Sequence, residues 1–287
     1  MIKDTIADQL IYSTVKIVCV ENNCQSIGTG FFMNFPMGDG TSIVAIVTNK
    51  HVINGYDFAF ITVVGANDDE TPNNQKHISL QIPNLQRRTF LHPDKDTDIC
   101  LLFINDLIQA KNESGEKIYY RSISCDMAIS EEQTENLTSM EDIIMIGYPN
   151  GFSDDFNNKP VIRKGITATS IKLNYENKSE FLADISVYFG SSGSPVFLRK
   201  TGLAKENNGE GLTIGVSPMY AFLGVLYAMK TVNVNGIAIR EEIPTTLKSQ
   251  VITNMPINLG CVIKANKIIE AFEFQKQIIK SESRSDL

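Results

Sequence analysis

What the chain lacks narrows its function first. Its 287 residues contain no CxxC, HExxH or other metal-ligating spacing. Its three histidines, His51, His77 and His92, lie far apart, so neither a metal nor another cofactor is expected. Positive charge is scarce: 26 Lys and Arg stand against 33 Asp and Glu, and the basic clusters Arg87-Arg88 and Arg163-Lys164 are short. A nucleic-acid partner is therefore not expected, because neutralising phosphates needs clustered cations. Apolar runs such as Ser42 to Val47 are far too short to span a bilayer. The five cysteines (Cys19, Cys24, Cys100, Cys125, Cys261) are odd in number and lack paired spacings, which suits reduced thiols in a cytosol. The opening MIKDTIADQLIYSTVKIVCV places Asp4 and Asp8 where an export signal would be apolar, and it lacks a small-residue cleavage site. The expected location is cytoplasmic.

What is present is mostly strand. With 43% hydrophobic residues and 21% charged, the chain is long enough to bury one full core or two half-sized ones. Short β-rich runs recur between Gly, Asn and Asp clusters: 14–20, 28–34, 42–48, 57–64, 77–81 and 100–104. A second set covers 143–146, 162–173, 180–186, 194–198 and 222–229. Residues 2–11 fit one or two amphipathic helical turns, KTGLAKENNGEGL reads as an exposed loop, and KANKIIEAFEFQKQIIK has helical periodicity before a frayed SESRSDL tail. The expectation is an all-β protein of two β-rich halves closed by a C-terminal helix. Four regions are expected: an N-terminal half over 1–112, a polar connection over 113–140, a C-terminal half over 141–264, and a helix with its tail over 265–287.

Three residue types stand at strand ends. VTNKHV places His51 inside an apolar run, HPDKDTDICLLFI places Asp98 directly before an apolar strand, and FGSSGSPVF places Ser192 in a glycine-bounded turn. A serine hydroxyl needs a neighbouring base to attack an acyl group, and that base needs a carboxylate to orient it. Asp94 and Asp96 compete with Asp98 for the last role; Asp98 is preferred because a buried strand follows it. His77 and His92 sit in no motif.

The order His51, Asp98, Ser192 resembles the chymotrypsin-like (trypsin-fold) serine peptidases, in particular their bacterial Deg and glutamyl-endopeptidase branch without a PDZ domain. GTGFF (28–32), TNKHV, DICLL and GSSGSPVF carry the resemblance, and FLGVLYAM and NLGCVIKANKII extend it. It implies two six-stranded antiparallel β-barrels and a C-terminal α-helix. It implies Ser192 as nucleophile, His51 as general base and then acid, and Asp98 as the orienting carboxylate. The N–H groups of Gly190 and Ser192 would form the oxyanion hole. Ser186, Val187, Tyr227, Ala228 and Met229 would bind a protein or peptide substrate, with Tyr227 to Met229 offering backbone for strand addition.

The departures carry expectations too. Ser191 stands where zymogen-activated members have an aspartate, so that switch should be absent, and Ser194 replaces the commoner glycine. No charge stands at Ser186 or Val187, so a neutral or apolar substrate side chain is expected. An intracellular protease needs restraint, so a narrow substrate range or a regulatory protein partner is expected as well. Two other functions fit these residues: a catalytically silent binding or sensing module of the same fold, and a serine esterase. The esterase is disfavoured because the GxSxG elbow is missing.

Overall fold

Alternation of apolar side chains builds the N-terminal half. In β1 (Thr14–Glu21), Val15, Ile17 and Cys19 are buried on one face, as the two-residue period of a strand requires. The other strands here are β2 (Cys24–Pro36), β3 (Ser42–Thr48), β4 (Phe58–Ala66), β5 (Pro72–Pro83), β6 (Thr89–Leu91), β7 (Cys100–Leu102), β8 (Ile118–Tyr119) and β9 (Ile123–Ser124). They form one nine-stranded sheet whose main path runs β5-β4-β1-β2-β3-β7-β6, with β8 on β4 and β9 on β2. Short helices interrupt it: α1 (Ile6–Leu10), α2 (Lys50–Ile53), α3 (Leu85–Arg88) and α4 (Asn105–Glu113). The structure, a computed structural model, describes residues 5–21, 24–207, 212–238 and 249–285.

The C-terminal half follows the small helix α5 (Glu131–Glu135). It consists of β10 (Asp142–Gly147), β11 (Val161–Thr167), β12 (Glu180–Asp184), β13 (Pro195–Asn207), β14 (Leu212–Ala238) and β15 (Ser249–Lys264), closed in the order β10-β11-β12-β15-β14-β13. Closure leaves no sheet edge inside the barrel. The last element is α6 (Asn266–Ser285). The fold is thus all-β, two β-rich halves with a C-terminal helix, as expected for a trypsin-like fold. Among the described residues no helix is long and apolar enough to cross a membrane.

Three local expectations differ. The stretch KTGLAKENNGEGL is not a loop over its described residues: β13 runs to Asn207 and pairs back with β14 from Leu212. Backbone pairing carries its polar flanks as strand. The connection after residue 104 is not featureless either, since it holds α4, β8, β9 and α5. The run 162–173 ends as strand at Thr167.

One apolar cluster joins the halves. Phe31, Met33 and Phe35 of β2 pack with Ile146 of β10, Phe197 of β13, Phe222 of β14 and Ile268 and Phe272 of α6. Phe35 and Phe272 stack with centroids 4.4 Å apart. Each buried ring contributes about 2 kcal/mol from area alone, so α6 fastens the end of one half onto the sheet of the other.

Candidate active site

His51 is set by a four-residue helix. β3 ends at Thr48, Asn49 stands at the N-cap, and α2 begins at Lys50. Asn49 makes no cap hydrogen bond; its Nδ2 instead donates to the Asp98 carbonyl at 2.6 Å. The His51 backbone N–H donates to Asp98 Oδ1 at 3.2 Å, and its Nδ1 lies 2.5 Å from Asp98 Oδ2. An ionised carboxylate only accepts, so Nδ1 is the donor of this hydrogen bond. The two side chains retain 50% and 21% of their exposure, so the dyad faces the solvent side of the cleft.

The competing aspartates are accounted for. Asp94 Oδ1 accepts from the Asp96 N–H at 3.0 Å and its Oδ2 from the Thr97 hydroxyl at 2.8 Å, so it serves its own turn. These bonds hold its pKa below the usual carboxylate range. Lys50 Nζ ties the same loop to α2 by donating to the carbonyls of His92, Asp94 and Lys95.

His92, in no sequence motif, is the buried core of this loop. Its Nδ1 accepts the Asp94 N–H at 3.0 Å, and its Nε2, 3.8 Å from Glu270 Oε1 of α6, has no hydrogen-bond partner among the described residues. Burial pushes its pKa down, partly opposed by Glu270. Only the fold could reveal this role, because the residues around His92 come from three separate elements.

The turn that bears Ser192 is held differently. Gly190 and Gly193 have φ of +79° and +87°, the left-handed region that favours glycine. A Cβ on Gly190 would come within 2.4 Å of the Tyr148 carbonyl oxygen, and one on Gly193 within 1.8 Å of the Thr29 carbonyl oxygen. The Phe189 carbonyl accepts from the Asn150 N–H at 2.5 Å, and the Ser191 carbonyl accepts from the Ser194 N–H at 3.1 Å. In a planar trans peptide the next N–H points the opposite way. The N–H groups of Gly190 and Ser192 are therefore directed away from these anchors, and among the described residues neither donates to a protein acceptor. Ser191 is fully buried, and its Oγ accepts the Tyr188 N–H at 3.3 Å.

Ser192 lies at the centre of this turn. Its hydroxyl is directed to the Tyr227 carbonyl at 3.5 Å, a contact at the limit of hydrogen bonding. Among the described residues no hydrogen bond joins Ser192 to His51.

The expected substrate-binding residues fall on two sides of the turn. Val187 is buried and would sit 3.0 Å, through Cγ2, from a Cβ on Gly260. Met229 pairs with Gly260 and packs in the same apolar cluster as Val187, while Ala228 pairs with Cys261. Tyr227 donates its hydroxyl to Glu180 Oε2 at 2.9 Å, and burial raises its pKa. The Ser186 carbonyl accepts from Arg163 Nη1 at 3.2 Å, while the guanidinium lies 5.0 Å from the Tyr188 ring centroid. Arg163 Nε is buried without a partner among the described residues. Sequence reading recorded Arg163 only as half of a short basic pair, because β11 is remote from the turn in the chain.

The chain belongs to the trypsin-like peptidase domain family, which is matched over residues 28–203. That span contains His51, Asp98 and Ser192. No curated protein sequence matches the chain. Among solved structures it is similar to a serine endoprotease from Yersinia pestis, at 15% identity and TM-score 0.46, over 94% of this chain and 65% of that one. The chain thus spans just under two thirds of the Yersinia protein. It is also similar to an M. tuberculosis protease in its active form, at 16% identity and TM-score 0.46, over 95% and 84% of the two chains. A third is tobacco etch virus protease complexed with product, at 10% identity and TM-score 0.45, over 79% and 71%.

Proposed function

We propose that the protein is a serine endopeptidase that hydrolyses peptide bonds through an acyl-enzyme. In this reading His51 Nε2 takes the proton of the Ser192 hydroxyl as Oγ forms a bond to the carbonyl carbon of the substrate. The N–H groups of Gly190 and Ser192 receive the negative charge that develops on the carbonyl oxygen. Collapse of the tetrahedral intermediate breaks the C–N bond, and His51 gives its proton to the departing amine. Water, deprotonated by His51, then releases the acid and restores Ser192. Asp98 keeps the proton on Nδ1 and stabilises the imidazolium. Ser186, Val187, Ala228 and Met229 bind the side chain before the scissile bond, and Tyr227 to Met229 pair with the extended substrate.

The observation that carries this reading is the pair of N–H groups, on Gly190 and Ser192, left without a protein acceptor while the carbonyls ahead of them are anchored. Backbone N–H groups are obligatory donors, and an anion formed beside Ser192 would satisfy both. The burial of Ser191 supports a turn assembled within the chain, with no activating carboxylate at that position.

Fluorophosphonate labelling tests the reading. Wild type is expected to be labelled at Ser192 and Ser192→Ala to remain unlabelled, with peptide hydrolysis lowered by roughly 10⁴-fold or more. Absence of labelling in wild type, or equal labelling of the variant, refutes it in favour of a silent binding module, a reading to which the Ser192 contact with Tyr227 would then belong.

A further inference from the structure

Thr29 of β2 makes four hydrogen bonds, two of which bind the N-terminal half to the turn around Ser192. Its backbone N–H donates to the Ser192 carbonyl at 2.8 Å, and its hydroxyl donates to the Gly190 carbonyl at 2.9 Å. The same hydroxyl oxygen accepts the Tyr148 N–H at 3.1 Å, and the Thr29 carbonyl accepts from the Thr48 hydroxyl at 2.7 Å. Thr29 is fully buried, so water cannot replace any of these partners.

Four peptide planes surround Ser192, and Thr29 holds two of them. The plane after Gly190 is fixed by the Thr29 hydroxyl; the plane after Ser192 is fixed by the Thr29 N–H, with the Gly193 N–H on the Leu226 carbonyl at 2.8 Å on its far side. The other two are fixed by Asn150 and by Ser194. Thr48 stands three residues before His51, so the chain of bonds from Thr48 through Thr29 to Gly190 links the strand that ends at the base to the donors beside the nucleophile. Gly193 packs directly against the Thr29 carbonyl, which leaves the turn no room to relax toward β2.

We infer that Thr29 is a positioning residue whose hydroxyl locks the peptide plane lying between the two that carry the oxyanion-binding N–H groups, so that one half of the protein tunes the transition-state site of the other. The inference rests on the proposed role of Ser192. Thr29→Val keeps the shape and removes the hydroxyl, leaving the Gly190 carbonyl and the Tyr148 N–H buried without that partner. The plane after Gly190, whose N–H is that of Ser191 on the Tyr188 carbonyl, then turns to find another partner, and through the shared Cα atoms of Gly190 and Ser191 it turns the two neighbouring planes that carry the Gly190 and Ser192 N–H groups.

The expected result is a fall in kcat of about 10²-fold, the scale of losing one oxyanion donor, with KM within about threefold because the substrate-binding wall is untouched. Thr29→Ser restores the hydroxyl and is expected to recover kcat to within about threefold. Crystal structures of the two variants supply a readout that does not depend on activity: the Gly190 carbonyl leaves its place in Thr29→Val and keeps it in Thr29→Ser. If Thr29→Val does not fold, Thr29→Ala removes the same hydroxyl without added bulk and carries the same expectation. A wild-type kcat in the hydroxyl-free variant, equal losses in Thr29→Val and Thr29→Ser, or an unmoved Gly190 carbonyl overturns the inference. A wild type that fails to label overturns the role of Ser192 instead, and the crystal structures still decide for Thr29.

Discussion

The two sides of the cleft are held in different ways. His51 is a half-exposed side chain joined directly to the more covered Asp98, their loop fastened by Lys50 and by the turn around Asp94. Ser192 sits in a turn whose neighbours Ser191 and Ser194 are buried, and whose shape comes from backbone groups on Thr29, Asn150 and Leu226. A base must move a proton and tolerates adjustment of its side chain. An oxyanion site works only if its donors are in place before charge develops, so it needs a frame that does not reorganise. The dyad is local chemistry, and the turn is tertiary structure.

Substitutions on the two sides should therefore fail differently. The largest effect is expected from Asp98→Asn, where an amide replaces the acceptor of the Nδ1 proton and favours the wrong tautomer. Peptide hydrolysis should fall about 10⁴-fold with the fold intact, as measured by kcat and by circular dichroism. If Asp94→Asn caused that loss while Asp98→Asn did not, the assignment of the two carboxylates would be reversed. Gly193→Ala should show the opposite signature. The added methyl meets the Thr29 carbonyl at a positive φ, and a loss of roughly 2–4 kcal/mol in stability is expected, seen as a lower urea midpoint. An unshifted midpoint would mean that the turn is looser than its contacts indicate.

The smallest effect is expected where the halves touch away from the site. Lys159 lies with Nζ 4.0 Å from the Tyr12 ring centroid, and burial pushes its pKa from 10.5 to about 8. Between those values the unfolded chain holds the proton more tightly than the folded one, so wild-type stability should rise with pH across that window. Lys159→Met is expected to remove this slope and to add about 1 kcal/mol at pH 7, a gain that thermal melts should find fading toward pH 10. A destabilised variant at pH 7 would show that the cation–π contact outweighs the cost of burial.

The contrast explains which residues could be read in advance. His51, Asp98 and the GSSGSP turn announce themselves because each sets a residue type capable of chemistry at the end of an apolar run. β1, β3 and the C-terminal helix were legible for the same reason. The ribbon of β13 and β14 was not, because its polar flanks carry no strong period and are held by pairing between strands. His92 went unread since its value depends on Asp94, Glu270 and burial, none of which its immediate neighbours indicate.

By itself the sequence determined the candidate residues His51, Asp98 and Ser192, the glycines that bound the serine turn and the alternation that makes the halves β. These are properties of single residues and of short periods. The tertiary structure alone decided that Thr29 faces the nucleophile turn, that Arg163 reaches the Ser186 carbonyl and that α6 crosses back to Phe35. Such pairings join positions up to 237 residues apart in the stacked pair Phe35 and Phe272. No local pattern encodes them, because they follow from how the closed barrel and the nine-stranded sheet share one core.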